Sequence, residues 1–235
     1  MHRSGTSLVA RLARDLGADF GDERTFYPAD KWNPDGYFEQ CEILAINIPL
    51  INGPFGRFSF MFLPPDKTIK RRAEKLQNRI ETISERYRDS VVKENRFCIT
   101  LGAWRDLGCS PRKLLIVFRN PRSVAKSLKQ RNKIPEWLAM RLWVTHYRRL
   151  LRHANGVPTA FLWYDGLLMA ESSAARQHRC LAWFLNQDVE RISKVAGAIV
   201  RPSPKCAPRN LPRDVDTLYS ELRQMNTGES WLQSA

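Results

Sequence analysis

The chain has 235 residues, of which 43% are hydrophobic and 26% are charged; this balance excludes a disordered or fibrous protein. Its formal net charge of +14 at pH 7 favours an anionic ligand, substrate or surface. The strictly apolar runs, such as Leu114–Phe118, are too short to cross a bilayer, and no secretory signal comes first. We therefore expect a cytoplasmic protein that folds as one domain over residues 1–235.

Five cysteines are widely spaced and form no Cys-x-x-Cys pair or Cys/His cluster. This spacing argues against a zinc site, so we expect no metal. Reduced and mostly buried thiols are the preferred interpretation. The cysteines are Cys41, Cys98, Cys109, Cys180 and Cys206.

The first seven residues resemble an anion-binding turn that leads directly into a helix predicted for 6–16. Gly5 lies at the centre of the turn, and the helix N-terminus adds a partial positive charge. Arg3 adds a permanent cation, while hydroxyl donors come from Ser4, Thr6 and Ser7. A plain helix cap is the alternative. A loop of this kind normally follows a buried strand, so we expect that strand to be missing or to lie upstream.

The first half of the chain is predicted to be mainly helical, with two irregular stretches. A helix over 42–51 separates the irregular stretches 17–34 and 52–65. Apolar residues at spacings of three and four predict one long amphipathic helix over 66–90. A strand is predicted at Val91-Val92, followed by polar residues and a short helix over 101–107.

The second half alternates strands with helices, which predicts a parallel α/β sheet flanked by helices. Strands are predicted for 113–118 and 159–164. Helices are predicted for 121–130, 135–152, 172–185, 189–196 and 214–225, with an irregular stretch over 201–212.

A second informative stretch is the junction after the first of these strands. Arg119 follows the carboxyl end of the strand, where open α/β sheets bind ligands. Ser127 lies about two turns into the next helix, so both side chains can converge on one phosphate. An ordinary basic strand-to-helix junction is the alternative.

Together and in this order, the two stretches resemble the sulfotransferase superfamily, in particular members that use 3′-phosphoadenosine 5′-phosphosulfate as donor. Residues 3–7 resemble its phosphosulfate loop, and Arg119 and Ser127 resemble its 3′-phosphate pair. Residues 162–168 resemble its Tyr-Glu-Asp-Leu segment, whose Tyr, here Tyr164, contacts the adenine side. Two further segments are similar to family elements: Asn33–Glu39 and Phe184-Leu185. The resemblance implies a P-loop NTPase-like sulfotransferase fold.

Three features depart from the family pattern. The strand before the loop is absent, Lys93-Glu94-Asn95-Arg96 stands where bacterial relatives usually carry Lys-Asp-Pro-Arg, and the Tyr-Glu-Asp signature has lost its Glu. Asp165 keeps one carboxylate there.

The resemblance implies sulfuryl transfer to an acceptor hydroxyl, with Arg3 and Glu39 as the catalytic residues. Arg3 would stabilise the leaving group electrostatically, and Thr6 and Ser7 would hold the phosphosulfate oxygens. Glu39 ends an aromatic turn that is expected to face the acceptor, so it is the first candidate for the general base; a carboxylate at a helix N-terminus is the alternative interpretation of Glu39. Glu23 and His2 are the alternative bases. Lys93 and Arg96 are candidates for binding sulfate or an anionic acceptor.

The acceptor is expected to be a saccharide or glycolipid, since loop aromatic residues suit carbohydrate; a peptide tyrosine or a small alcohol is the alternative. The loop aromatic residues are Phe26, Tyr27, Trp32, Tyr37, Phe55, Phe58, Phe60 and Phe62.

An inactive relative with the same fold is one rival hypothesis. A nucleic-acid-binding module is another, although no recognised motif supports it and we expect no nucleic-acid partner. A nucleoside kinase is a weaker hypothesis, because the lysine that such kinases carry in their phosphate-binding loop is absent here.

Overall fold

The computed structural model describes residues 1–52, 62–169, 171–200 and 210–228. The predicted irregular stretches around 53–61 and 201–209, with Phe55, Phe58, Phe60 and Cys206, lie outside the described residues. Backbone contacts divide the chain into two compact units. The first unit contains Met1–Ala18, Arg112–Thr145 and Val157–Ala235, and the second contains Asp19–Pro111 and His146–Gly156. The single domain over residues 1–235 stays a prediction.

The described elements are mostly helices. In chain order they are α1 (Thr6–Asp15), α2 (Cys41–Ile51), α3 (Asp66–Glu74), α4 (Gln77–Arg86), α5 (Phe97–Asp106), β1 (Leu114–Phe118), α6 (Pro121–Asn132), α7 (Glu136–Ala154), β2 (Thr159–Trp163), α8 (Tyr164–Leu167), α9 (Glu171–Leu185), α10 (Val189–Ile199) and α11 (Arg213–Thr227).

The sheet of the first unit consists of β1 and β2, which run parallel. Their register pairs Leu114 with Thr159 at one end and Phe118 with Trp163 at the other. Both are apolar segments, and parallel pairing requires a crossover between them. The prediction of an α/β chain with parallel strands is therefore confirmed at this coarse level.

The core of the first unit forms where α1 packs on the sheet and on two later helices. Val9 and Leu12 of α1 are buried together with Val117 of β1 and Leu162 of β2, and with residues of α9 and α10. Side chains also satisfy the free carbonyls at the end of α1, since Gln187 Nε2 donates to Leu16 O at 2.9 Å. The core thus fixes α1, and with it the loop that precedes α1.

The second unit contains α2 to α5 and the carboxyl-terminal part of α7. Its described residues form isolated bridges but no strand, so the predicted strand at Val91-Val92 is wrong. Val91 N–H instead donates to Asp19 O at 2.7 Å. The backbone N–H of Val91 thus finds its acceptor in a loop residue and not in a neighbouring strand. The β-branched side chains of this pair predict a strand but do not reveal this partner.

The single helix predicted for 66–90 is also wrong, because it is broken between α3 and α4. Leu76 leaves the helical conformation at φ −115° and ψ 13°, and its N–H bonds to Ala73 O at 2.8 Å. This contact tightens the last turn of α3. The apolar stripe nevertheless remains buried on both sides of the break, at Ile69 and Ile80.

Within the described ranges, no helix combines the length and the apolar character needed to cross a membrane.

Candidate functional site

The loop before α1 is shaped by Gly5 and Arg3. Gly5 is the N-cap of α1 at φ 86°, and as a glycine it has no side chain that could cap the helix. A Cβ at Gly5 would lie 1.9 Å from Cδ2 of Tyr164, so only glycine lets the Tyr164 ring pack there. Arg3 also has a positive φ, 65°, which is uncommon for a side chain of this size. The predicted turn into a helix at Thr6 is therefore present, and Tyr164 covers it.

Arg119 and Tyr164 come together because the two strands end side by side. The register pairs Phe118 with Trp163, so the next residue of each strand leaves the sheet at the same edge. The Arg119 Cζ atom lies 4.9 Å from the centroid of the Tyr164 ring, a cation–π distance. Burial raises the pKa of Tyr164, and the positive charges of Arg119 and Arg3 oppose that rise.

Ser127 contacts the loop through Arg3. The Nε atom of Arg3 donates to Ser127 Oγ at 2.8 Å, joining residues that are 124 positions apart. Ser127 lies on α6, whose start is fixed by Pro121 and by Asn120 Oδ1, which accepts the Arg122 N–H at 3.0 Å.

Five of the predicted residues therefore lie in one cluster, which we call the sheet-end site. Its members are Arg3, Gly5, Arg119, Ser127 and Tyr164.

Asp165 connects the segments that follow the two strands, next to Tyr164 of the sheet-end site. Its Oδ2 accepts the Asn120 N–H at 2.7 Å and the Trp163 Nε1–H at 3.1 Å. Its Oδ1 lies 3.6 Å from Arg119 Nε, which is an ion-pair distance but too long for a direct hydrogen bond. Arg119 Nε is buried without a hydrogen bond. Asp165 therefore neutralises Arg119 only in part.

Two residues of α11 support this arrangement, and neither carries a motif in the sequence. Trp163 Nε1 also donates to the Tyr219 hydroxyl at 3.1 Å, and Arg223 Cζ lies 3.2 Å from the centroid of the Trp163 ring. The Tyr219 ring packs edge-on against Phe118, with centroids 6.2 Å apart. One helix thus contacts the last residue of both strands. Apolar spacing predicts α11 but not these contacts.

The hydroxyl residues of the loop differ in exposure. Ser4 is fully buried, whereas Thr6 and Ser7 are partly exposed in the first turn of α1. Ligand binding by Ser4, Thr6 and Ser7 stays a prediction.

Glu39, the first candidate for the base, belongs to the second unit, where it is 5% exposed. Its Oε1 accepts hydrogen bonds from Lys93 Nζ at 2.6 Å and from Asn95 Nδ2 at 2.8 Å. Glu94 pairs with Arg96 at 3.1 Å, and burial raises the pKa of Glu94, as does the nearby charge of Glu39. Lys93 and Arg96, the predicted anion ligands, therefore already have carboxylate partners.

The alternative bases lie in different surroundings. Glu23 is exposed in a short 3₁₀ turn of the second unit, over Glu23–Thr25. His2 is partly buried beside Arg3 in the first unit.

No group of His, Cys, Asp and Glu within the described residues could hold a metal ion. The four described cysteines form no disulfide with one another; Cys98 and Cys180 are buried, Cys109 is partly buried and Cys41 is exposed.

The sheet-end site offers a set of groups suited to a nucleotide with more than one phosphate. Two guanidinium groups, a helix N-terminus and the partly exposed residues Thr6 and Ser7 provide donors for anionic oxygens. The Tyr164 ring offers a surface against which a base can stack. No family model, curated protein or solved structure matches the chain.

Proposed function

We propose that this chain is a sulfotransferase that moves a sulfuryl group from 3′-phosphoadenosine 5′-phosphosulfate to an acceptor hydroxyl. The observation that carries the proposal is the sheet-end site, in which Arg3, Arg119 and Tyr164 meet around Gly5. Two cations beside an aromatic ring and a helix N-terminus are what a doubly phosphorylated nucleotide needs.

In this proposal each part of the donor has its own ligands. The loop, with Thr6 and Ser7, holds the phosphosulfate, and Arg119 with Ser127 holds the 3′-phosphate. Tyr164 contacts the adenine side. The bond from Arg3 to Ser127 supports this, since it joins the two phosphate-binding segments. Ser127 accepts that bond and keeps its own O–H proton for a phosphate oxygen.

The reaction is an in-line displacement at sulfur. The acceptor oxygen forms a bond to sulfur, the bond from sulfur to the bridging oxygen breaks, and 3′-phosphoadenosine 5′-phosphate leaves with the electron pair. Arg3 stabilises the charge that develops on the bridging oxygen, because a fixed guanidinium donates hydrogen bonds without losing its proton. The acceptor proton passes to a carboxylate or imidazole, for which Glu39, Glu23 and His2 stay the candidates; of these, His2 belongs to the same unit as Arg3.

The second unit supports a saccharide or glycolipid as acceptor. Tyr27 is 45% exposed, and its ring meets Tyr37 edge-on at 5.4 Å. Lys31 Nζ lies 5.6 Å from the Trp32 ring centroid. One exposed ring and two partly exposed rings beside cations suit the C–H faces and hydroxyls of an anionic or neutral sugar.

Isothermal titration calorimetry tests the donor assignment. The ligands are 3′-phosphoadenosine 5′-phosphate and adenosine 5′-phosphate, which lacks the 3′-phosphate. We expect tight binding of the first ligand only, and its loss in Arg119→Ala by a factor of about 10 or more, as for a charged hydrogen bond. Arg122→Ala is the matched control, since Arg122 Nη2 donates to Asn210 O at 2.9 Å.

Other outcomes separate the rival hypotheses. Equal binding of both ligands would contradict the roles of Arg119 and Ser127. A well-folded protein that binds neither ligand would favour an inactive relative. Binding to oligonucleotides with a steep salt dependence, and without need of Arg119, would favour a nucleic-acid-binding module.

A further inference from the structure

A basic surface lies where α6 meets α7, which we call the α6–α7 corner and define as Lys126–Arg141. The helices are joined by Lys133–Pro135. The corner contains five cationic side chains and one carboxylate, Glu136. Lys129 and Glu136 pair at 3.5 Å, but the Lys129 side chain remains 64% exposed. The exposed cations of the corner are Lys126, Lys129, Lys133 and Arg141.

Trp137 lies among these charges and is 66% exposed. Four other described tryptophans are buried, at 0 to 9% exposure: Trp104, Trp143, Trp163 and Trp183. The neighbours of Trp137 in sequence follow the usual pattern, because Ile134 and Met140 are buried. Trp137 is therefore placed in solvent by the first turn of α7 while the apolar face of that helix is covered.

We propose that the α6–α7 corner binds the surface of an anionic phospholipid membrane. A tryptophan ring is favoured at the level of the lipid headgroups, where its apolar body and its N–H both find partners. Clustered lysine and arginine side chains are attracted to the negative surface of such a membrane. Two weak signals of this kind, one apolar and one electrostatic, together give stable yet reversible binding.

A membrane fits the corner better than a nucleic acid does. Proteins that bind single strands present a groove with several aromatic rings on which successive bases stack. The corner has one exposed ring among cations that are spread over two helices and the segment between them. One inserted ring with surrounding cations suits a flat anionic surface.

Co-sedimentation with lipid vesicles tests the proposal on the full chain. The probes are vesicles of phosphatidylcholine alone and of phosphatidylcholine mixed with phosphatidylserine. We expect binding to the mixed vesicles only, weakened by added salt. The triple variant Lys129→Gln, Lys133→Asn, Arg141→Gln should lose affinity by about fivefold per cation. Asn is chosen at position 133 because Lys133 has φ 58°, which Asn tolerates.

Three exposed cations of the second unit provide a charge-matched control. The variant Arg71→Gln, Lys75→Gln, Arg79→Gln removes the same charge from α3, α4 and the break between them. Equal loss of binding in the control variant and the corner variant would overturn the proposal, because net charge alone would explain it.

Trp137 provides a second readout, by quenching of its fluorescence with brominated lipid. We expect quenching in the wild type and a clear decrease of it in Trp137→Phe, since four of the other six tryptophans are buried. Unchanged quenching in Trp137→Phe would overturn the proposal. So would corner variants that lose binding to an oligonucleotide while keeping binding to vesicles; the partner would then be nucleic acid. Ser127 is unchanged in every variant, so these results do not depend on the donor site.

Discussion

At Gly5, backbone conformation and side-chain packing impose the same requirement. Its φ of 86° is one that side chains rarely adopt, and the Tyr164 ring occupies the space of a Cβ. Gly17 has a similar φ of 90° with nothing within 4 Å of its Cβ position. The two residues therefore share a backbone cost but differ in packing.

This difference gives a prediction for two alanine variants. Gly17→Ala should cost about 1–2 kcal/mol of unfolding free energy, which is the cost of a left-handed backbone for alanine. Gly5→Ala should cost more and should also weaken nucleotide binding, because Tyr164 must move. Urea unfolding and calorimetry measure both effects. Equal stability and equal affinity in the two variants would contradict the role of Gly5.

Arg3 illustrates what could and could not be predicted at a single residue. The sequence marks it as a cation beside a turn that is predicted to bind an anion, and the structure adds its contact with Ser127. Its positive φ has no signature in sequence, because it depends on how the loop packs. Strained conformations of this kind often occur at functional sites.

Among the elements, those with a local signal were predicted and those set by tertiary contacts were not. The strands β1 and β2 are short apolar runs between turn residues, so their position was clear. The helix break at Leu76 has no Gly or Pro to mark it, and Val91 satisfies its backbone without a strand. Likewise Arg119, Ser127 and Tyr164 could be found by motif.

The α11 helix is the element whose role was missed, since Tyr219 and Arg223 act through contacts with Trp163. Trp163 Nε1 in turn donates to Asp165, whose Oδ2 accepts the Asn120 N–H. Such contacts arise only once α11 has docked, so no local pattern predicts them. We infer that Tyr219 is a positioning residue for Arg119.

Tyr219→Phe tests this role. The ring contact with Phe118 remains, but the hydroxyl that accepts the Trp163 bond is lost. We expect stability to fall by about 1 kcal/mol and affinity to fall several-fold for 3′-phosphoadenosine 5′-phosphate but not for adenosine 5′-phosphate. Thr217→Ala, on the same helix, is the control, and its Oγ1 donates to Arg213 O. A uniform loss for both ligands would mean that Tyr219 is merely structural.

For the whole molecule, titration of histidines links stability to pH. Burial lowers the pKa of His178 below 6.5, and His178 Nδ1 lies 2.9 Å from Ser193 Oγ. Burial also lowers the pKa of His153, against the opposing effect of Asp66. A histidine whose pKa is lowered by folding binds its proton more tightly in the unfolded chain. Its contribution to the unfolding free energy is therefore fully present at a pH above the pKa of the unfolded state, and it is lost as the pH falls below that pKa.

We therefore expect the unfolding free energy to fall as the pH decreases from 7.5 through 6.5 and below. Urea unfolding at a series of pH values measures the slope. In His178→Gln that slope should be smaller, since one of the two groups no longer titrates. The raised carboxyl pKa of Glu94 acts with the opposite sign, so Glu94→Gln should steepen the slope. An unchanged slope in His178→Gln would contradict the prediction.

The contact between Arg3 and Ser127 has a kinetic consequence. It closes a loop of 124 residues, and the first unit is interrupted by Asp19–Pro111 of the second. Closing a long loop is slow and costs chain entropy before any contact repays it. The sheet-end site can therefore exist only in chains that have brought α1 back to the sheet. A nucleotide that binds this site would slow the hydrogen exchange of the amides of α1. Protection of these amides would therefore show that the first residues of the chain have docked on the sheet.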